Sequence, residues 1–184
     1  IRVVDICISV VAILVLVPLY FILFVACLAD TGSPIFLQRR CGRSGQVFVL
    51  YKFRTMKINS KEVPTHLVTS SSITRLGRVL RTYKLDELPQ FFNVLKGDMS
   101  LVGPRPCLIG QVDLIKEREK RGCMAFRPGM TGLGQVKTVT MEHPRNLARY
   151  DAVMLKKFRV STVLFFLLAT LLGFRRLRGC CSGI

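Results

Sequence analysis

The 184-residue chain is short of acids, of histidine and of every common nucleotide-loop signature. Only 11 Asp and Glu stand against 28 Lys and Arg, a net charge of +17. An excess of that size calls for an anionic partner, and phosphorylated substrate, anionic lipid and nucleic acid all qualify. The two histidines, His66 and His143, and seven cysteines without a Cys-x-x-Cys pair exclude a zinc framework and a disulfide scaffold. An odd cysteine count with two in apolar sequence suits a reducing compartment. There is no Gly-x-x-x-x-Gly-Lys-Ser/Thr, Gly-x-Gly-x-x-Gly, Gly-x-Ser-x-Gly or His-Glu-x-x-His. Standard nucleotide hydrolase, dinucleotide, serine hydrolase and zinc peptidase readings therefore fail.

What is present is grease beside the charge. Half of the residues are hydrophobic and 12 are Phe, so disorder does not explain the cations, and the length suits one compact domain. Ile6 to Leu28 carries no charge for 23 positions, more than the roughly 20 residues a membrane-crossing helix needs. Asp5 and the length of the run do not fit a secretory signal. Pro18 lies mid-run and predicts a kink or break near Val17. A helix that dips in and returns is compatible with this, but on the residues alone a kinked spanning helix is the preferred reading, since prolines are tolerated in spanning segments. Almost all cations follow Leu28, which places the body in the cytoplasm.

Residues 34–38 and 46–53 read as two strands around a glycine-bearing turn, and residues 57–72 as a polar loop. Helical stretches are expected over Arg75–Tyr83, capped by Thr74, over Asp86–Leu95, Leu108–Arg121 and Glu142–Lys156. Val160–Phe174 is apolar for 15 residues between cationic flanks, too short to span comfortably and suited to lying in the interface. The expected fold is α/β mixed and helix-rich, with residues 1–30 as membrane helix, 31–158 as cytoplasmic catalytic domain, and 159–184 as interfacial helix and tail. Gly129 to Gly134 has its glycines in the wrong order for a dinucleotide loop and reads as a turn. Gly97-Asp98 reads as another.

The most informative stretch is Leu85-Asp86-Glu87-Leu88-Pro89, two acids opening a helix with proline in its first turn. Taken alone, the pair is better explained by helix capping, worth about 1 kcal/mol. Its company points further. Lys52, Arg54, Arg81, Arg105 and Arg127 lie in or beside proline- and glycine-bounded elements, mounts that suit guanidinium forks for phosphate.

Tyr51-Lys52-Phe53-Arg54-Thr55-Met56, the run from Lys84 through Leu85-Asp86-Glu87-Leu88-Pro89 to Gly103-Pro104-Arg105-Pro106, and Arg127-Pro128-Gly129-Met130-Thr131-Gly132-Leu133 resemble the signatures of the bacterial sugar transferase family. These are the monotopic polyprenyl-phosphate phosphoglycosyl transferases, here in the small catalytic-core form. The resemblance covers about Asp5 to Asp151. It implies transfer of a sugar 1-phosphate from a UDP-sugar to undecaprenyl phosphate with release of UMP, an early membrane step of glycoconjugate assembly. It implies Asp86 as nucleophile through a covalent aspartyl phosphosugar, Glu87 as a Mg²⁺ ligand, and Arg81, Arg105 and Arg127 screening phosphate charge. The helix end would keep Asp86 ionised. Lys52 and Asp151 are further site residues on the same ground.

The resemblance also turns the membrane reading toward a re-entrant helix broken at Pro18, on the cytoplasmic face of a bacterial inner membrane. Two departures stand out. Val17 replaces the serine that family members often place before the proline, and Lys137-Thr138-Val139 replaces a segment that commonly carries Gly-Arg. The short form suggests a modified N-acetylhexosamine donor, and the apolar interfacial surface leaves room for a homodimer. A membrane-anchored scaffold would not need the intact acidic pair. A nucleic-acid binder would interleave aromatics with the cations, which this chain does not do.

Overall fold

The structure is a computed structural model that describes residues 1–58, 72–156 and 158–171. Its first element, helix α1 (Arg2–Thr31), has 30 residues, about 45 Å at 1.5 Å per residue. Among the described residues it is the one helix long and apolar enough to cross a membrane. Gly32 ends it in the left-handed region at φ 74°, its N–H donating to the Leu28 carbonyl at 2.8 Å. The expected interruption at Pro18 does not divide it: the chain is helical on both sides of the proline and through it. One missing N–H costs a single ladder bond, which a long apolar helix absorbs.

Both ends of α1 are tied to the body. Arg2 donates to the carbonyls of Val94 (2.6 Å) and Leu95 (2.9 Å), and buried Asp5 accepts from Ser100 Oγ (2.9 Å) and Leu101 N–H (3.1 Å). Farther along, the Tyr20 hydroxyl donates to the Leu88 carbonyl at 2.7 Å, and Leu23 and Cys27 pack with Phe53 and Leu80. Between these attachments Val10, Val11, Leu14, Val15 and Val17 are exposed.

The predicted hairpin forms. β1 (Ile35–Cys41) and β2 (Val47–Phe53) pair antiparallel from Ile35↔Phe53 to Cys41↔Val47. Ser44 and Gly45 supply the positive φ of the turn, 53° and 77°. Strand alternation puts Gln38, Arg40, Leu50 and Lys52 on one face and Ile35, Leu37, Tyr51 and Phe53 on the other. Most of the predicted loop over 57–72 lies outside the described residues. α2 (Arg75–Thr82) starts as expected at Thr74, whose Oγ1 accepts from Gly77 N–H at 2.8 Å. A Cβ at Gly77 would lie 2.1 Å from the Thr55 carbonyl, so only glycine lets α2 sit this close to the chain leaving β2.

The helix expected over Asp86–Leu95 is two elements: a 3-10 turn, Leu85–Glu87, and then α3 (Gln90–Lys96) with Pro89 as its N-cap. Gly97, at φ 98°, ends α3, and Asp98 accepts from Asn93 Nδ2 (3.4 Å) and pairs with Lys96 (3.3 Å), the role of a turn residue. β3 (Ser100–Val102) follows. α4 (Val112–Lys120) is shorter than its predicted range because Leu108 N–H is taken by Gln111 Oε1 at 2.9 Å. The Gly129 segment is no simple turn: β4 (Gly129–Thr131) pairs parallel with β3, and the short α5 (Leu133–Val136) follows. That pairing needs bare backbone, since a Cβ at Gly129 would stand 2.0 Å from Gly103 N.

α6 (Pro144–Lys156) starts at proline, whose fixed φ suits a first turn. α7 (Val160–Leu171) covers the described part of the expected interfacial helix. Its Val163 and Phe166 join Phe48, Leu50, Met99, Leu101 and Val102 in the main core, while Val160, Leu164 and Leu168 are exposed four residues apart.

Candidate active site

The acidic turn is built by strain and by proline. Lys84, with a side chain, takes the left-handed conformation at φ 57° and ψ 23°, which costs about 1 kcal/mol or more and is kept where the surroundings demand it. Its carbonyl accepts from Glu87 N–H at 3.2 Å, closing the turn. Asp86 is thereby buried and Glu87 points at β2, where Lys52 Nζ donates to its Oε1 at 3.3 Å. Arg105, from the loop after β3, donates to the same oxygen at 3.2 Å. Arg81 completes the group from the end of α2, its Nε held by Thr55 Oγ1 at 2.9 Å, and its charge acts on Asp86.

The charges are unevenly matched. Burial pushes Glu87 up, but Lys52 and Arg105 outweigh it and hold the carboxyl at about 2. Burial dominates at Asp86 and raises it above the ordinary carboxylate value, against the pull of Lys52 and Arg81 and with Glu87 adding to the rise. Burial also lowers Lys52, only partly opposed by Glu87. The expected helix-end stabilisation of Asp86 is thus corrected: the acids sit in a 3-10 turn ahead of a seven-residue helix, burial raises Asp86, and cations hold Glu87 alone. Among the described residues no ion pair engages Asp86, while two engage Glu87.

Of the residues picked from sequence, Lys52, Arg81, Asp86, Glu87 and Arg105 come together. Arg54 is turned away: Nε donates to the Ser33 carbonyl at 3.0 Å, Nη2 reaches Ser33 Oγ and the Ile35 carbonyl, and the guanidinium lies 5.5 Å from the Phe36 ring centroid. Arg127 donates to the Gly97 carbonyl at 2.8 Å and closes the end of α3. Asp151 stands behind the site, its Oδ2 accepting from Arg118 Nε at 2.9 Å and lying 2.8 Å from Nη2. Arg118 Nη1 in turn donates to the Arg105 carbonyl at 2.9 Å.

Arg118 and Arg40 were not picked from sequence. Arg40, buried on the Lys52 face of the hairpin, donates to Gln38 Oε1 and to the Pro106 carbonyl (3.1 Å), so it fixes the far side of the Arg105 loop. Its signal was alternation, since Gln38 and Arg40 occupy the strand positions that face inward. Arg40, Lys52, Glu87 and Arg105 line one narrow cleft with Gln90 and Met130.

No three His, Cys, Asp or Glu side chains among the described residues converge as a metal cage. Adjacent carboxylates suit Mg²⁺ nonetheless, because that ion keeps several waters and takes further ligands from substrate phosphate. Lys52 and Arg105 both meet Oε1 of Glu87, and the second carboxylate oxygen is what such an ion would take.

A family model described as bacterial sugar transferase matches residues 1–176. The chain belongs to the bacterial sugar transferase family. An undecaprenyl-phosphate galactose phosphotransferase of Salmonella typhimurium is 40% identical over 152 residues, which cover 73% of this chain and 32% of that relative. A UDP-N-acetylgalactosamine-undecaprenyl-phosphate N-acetylgalactosaminephosphotransferase of Aeromonas hydrophila is 42% identical over 138 residues, 72% of this chain and 32% of the relative. An exopolysaccharide production protein of Rhizobium leguminosarum bv. phaseoli is 42% identical over 149 residues, 74% of this chain and 72% of the relative. The sugar transferase chain thus spans about a third of the length of the first two relatives and most of the third.

Proposed function

We propose that this sugar transferase moves a sugar 1-phosphate from a UDP-sugar to undecaprenyl phosphate in two displacements. An Asp86 oxygen attacks the sugar-bearing phosphorus, the bond to the bridging oxygen breaks, and UMP leaves with its electron pair. The acceptor phosphate then attacks the same phosphorus, the bond to Asp86 breaks, and the carboxylate is restored as undecaprenyl diphosphate sugar forms. The observation that carries the reading is the buried Asp86, in no ion pair among the described residues, beside an acid held ionised by Lys52 and Arg105. A nucleophile needs an uncommitted lone pair, and an anion attacking an anion needs cations already in place. Mg²⁺ at Glu87 would add charge screening for the diphosphate. Arg105 and Arg81 flank the acids and orient phosphate oxygens, and Arg118 positions Arg105 through its carbonyl.

The same reading places the protein on the cytoplasmic face of a bacterial inner membrane with α1 re-entrant. Its support is that Arg2 and Asp5 bond to α3 and β3 while Tyr20, Leu23 and Cys27 pack on the same body. A straight spanning helix would carry its two ends to opposite leaflets. A cysteine at position 3 in a cysteine-free background should resist an impermeant maleimide added outside spheroplasts; ready labelling would refute the return path. The relatives' names cover both galactose and N-acetylgalactosamine, so the lean toward a modified N-acetylhexosamine goes to a donor panel.

The deciding assay is UMP release by nanodisc-embedded protein given undecaprenyl phosphate, Mg²⁺ and a panel of UDP-sugars. Release from one donor, lost with chelator and reduced at least about 10³-fold in Asp86→Asn, is expected. Undiminished release by that variant would overturn the covalent step.

A further inference from the structure

We propose that the apolar groove between α1 and the outer face of the hairpin seats the first isoprene units of the acceptor, with the acceptor phosphate turned round the end of β2 toward Arg81 and Asp86. The inference rests on the transferase reading and assigns a place within it that the acids do not supply. The groove has a volume of about 540 Å³ and an exposed lining that is wholly apolar. Its walls are Tyr20, Phe21 and Phe24 from α1, Tyr51 and Phe53 from β2, and Phe92 from α3. Tyr20 locks them together: its ring lies 6.1 Å from Phe53 and 5.8 Å from Phe92, and its hydroxyl is spent on the Leu88 carbonyl at 2.7 Å.

Position selects the occupant. Tyr51 and Phe53 flank Lys52 in the strand, so the groove and the acid cleft are the two faces of one β2. Pro89, in the groove floor, is two residues from Glu87. The two faces meet where β2 ends, at Phe53 in the groove and Thr55 holding Arg81, whose charge acts on Asp86. On the other side the groove runs into the exposed apolar face of α1, where Phe21 is 69% and Ile22 61% exposed. A ligand that is apolar along a single chain and anionic at one end matches all three features. A nucleotide sugar is polar along its length and has nothing to place in a wholly apolar groove, and a two-chained phospholipid has one chain and one ester too many.

Two measurements on the full chain in nanodiscs test this. Exchange of labelled UMP into UDP-sugar without acceptor reads the first displacement alone, and transfer against undecaprenyl phosphate concentration reads the second. Phe92→Ala and Phe24→Ala should raise the acceptor KM by about tenfold or more, as expected for losing a buried aromatic contact, with UMP exchange unchanged. An unchanged acceptor KM in both variants with exchange intact would overturn the groove. The second measurement needs no turnover: a polyprenyl phosphate with a diazirine in its first isoprene unit should label peptides holding Tyr51 and Phe92, displaced by undecaprenyl phosphate. Labelling elsewhere, or displacement by phosphatidylglycerol and not by undecaprenyl phosphate, also sinks the proposal. Absence of UMP exchange in the unsubstituted protein would instead refute the transferase reading, and the labelling pattern would then judge the groove by itself.

Discussion

Asp151 and Glu87 both meet arginine, and they do so to opposite ends. Asp151 and Arg118 are closed off, 1% and 3% exposed, joined at 2.8 and 2.9 Å, with a third guanidinium bond spent on the Arg105 carbonyl. Glu87 is open, at 20% exposure, and shares one oxygen between Lys52 and Arg105 at longer range, 3.3 and 3.2 Å. The closed pair neutralises its own charge and fixes backbone, though Asp151 Oδ1 and Arg118 Nη2 are buried without a hydrogen-bond partner. The open group keeps net positive charge beside buried Asp86, which has no ion pair among the described residues, as the proposed phosphate transfer would need. The same chemistry is a bolt in one place and a receptor in the other, and solvent access with surplus cation makes the difference.

The largest effect should come from breaking the bolt. Arg118→Ala leaves Asp151 buried without its counter-charge and should cost about 3–5 kcal/mol, read by denaturant unfolding in detergent. Arg118→Met combined with Asp151→Leu should recover most of that loss, since a packed apolar pair can replace a buried ionic one. Stability unchanged in Arg118→Ala would refute the distinction between the clusters. Lys52→Met attacks the receptor: turnover should fall about 10²-fold with little change in stability. In the proposed mechanism Asp86 must be ionised to attack, and burial already raises its pKa, so the acid limb of activity should lie above the ordinary carboxylate value. Lys52 lowers Asp86, so removing it should move that limb to higher pH; a limb that stays put would separate Lys52 from the nucleophile.

A smaller effect sharpens the contrast through pH. Glu87 is depressed to about 2 from 4.5, so the stability it contributes is present above 4.5 and lost as pH falls from there toward 2. Burial raises Asp151 despite Arg118, so its contribution has the other sign, full below the ordinary carboxylate value of 3.8 and lost as pH rises through the raised one. Unfolding titrations of Glu87→Gln and Asp151→Asn should therefore depart from the parent in opposite directions on the acid side. Parallel departures would show that the two carboxyls share one environment.

Much of this was legible in the sequence. Two apolar runs around a glycine-bearing turn gave the hairpin, with β1 running three residues farther than expected, Thr74 marked its helix, and the run of 23 uncharged residues marked α1. The acids were found as a pair, but their mount was misjudged. A strained Lys84 has no compositional signature, and Pro89 was read inside the first turn of a helix that starts only at Gln90. The Gly129 strand was missed because a three-residue parallel pairing rests on the bare backbone of two distant glycines, not on side-chain pattern. Arg118 was missed for the converse reason: on an amphipathic, charge-rich α4 it looks like any surface cation until Asp151 is brought to it.

Arg54 gives the smallest effect and the most direct test of how far sequence motif and site coincide. It sits in the same short motif as Lys52, two residues on, so alternation alone would keep it on the Lys52 face. The strand ends at Phe53, however, and Arg54 N–H donates to the Pro34 carbonyl at 2.8 Å as the chain leaves the sheet. Its guanidinium then ties the start of the hairpin to Ser33, just past the end of α1. Arg54→Ala should cost about 1 kcal/mol of stability, the worth of a partly exposed group of hydrogen bonds, and leave turnover within about twofold of the parent. A loss of turnover comparable with that of Lys52→Met, at unchanged stability, would mean that Arg54 swings to the phosphate when substrate binds, and the motif would then be catalytic along its whole length.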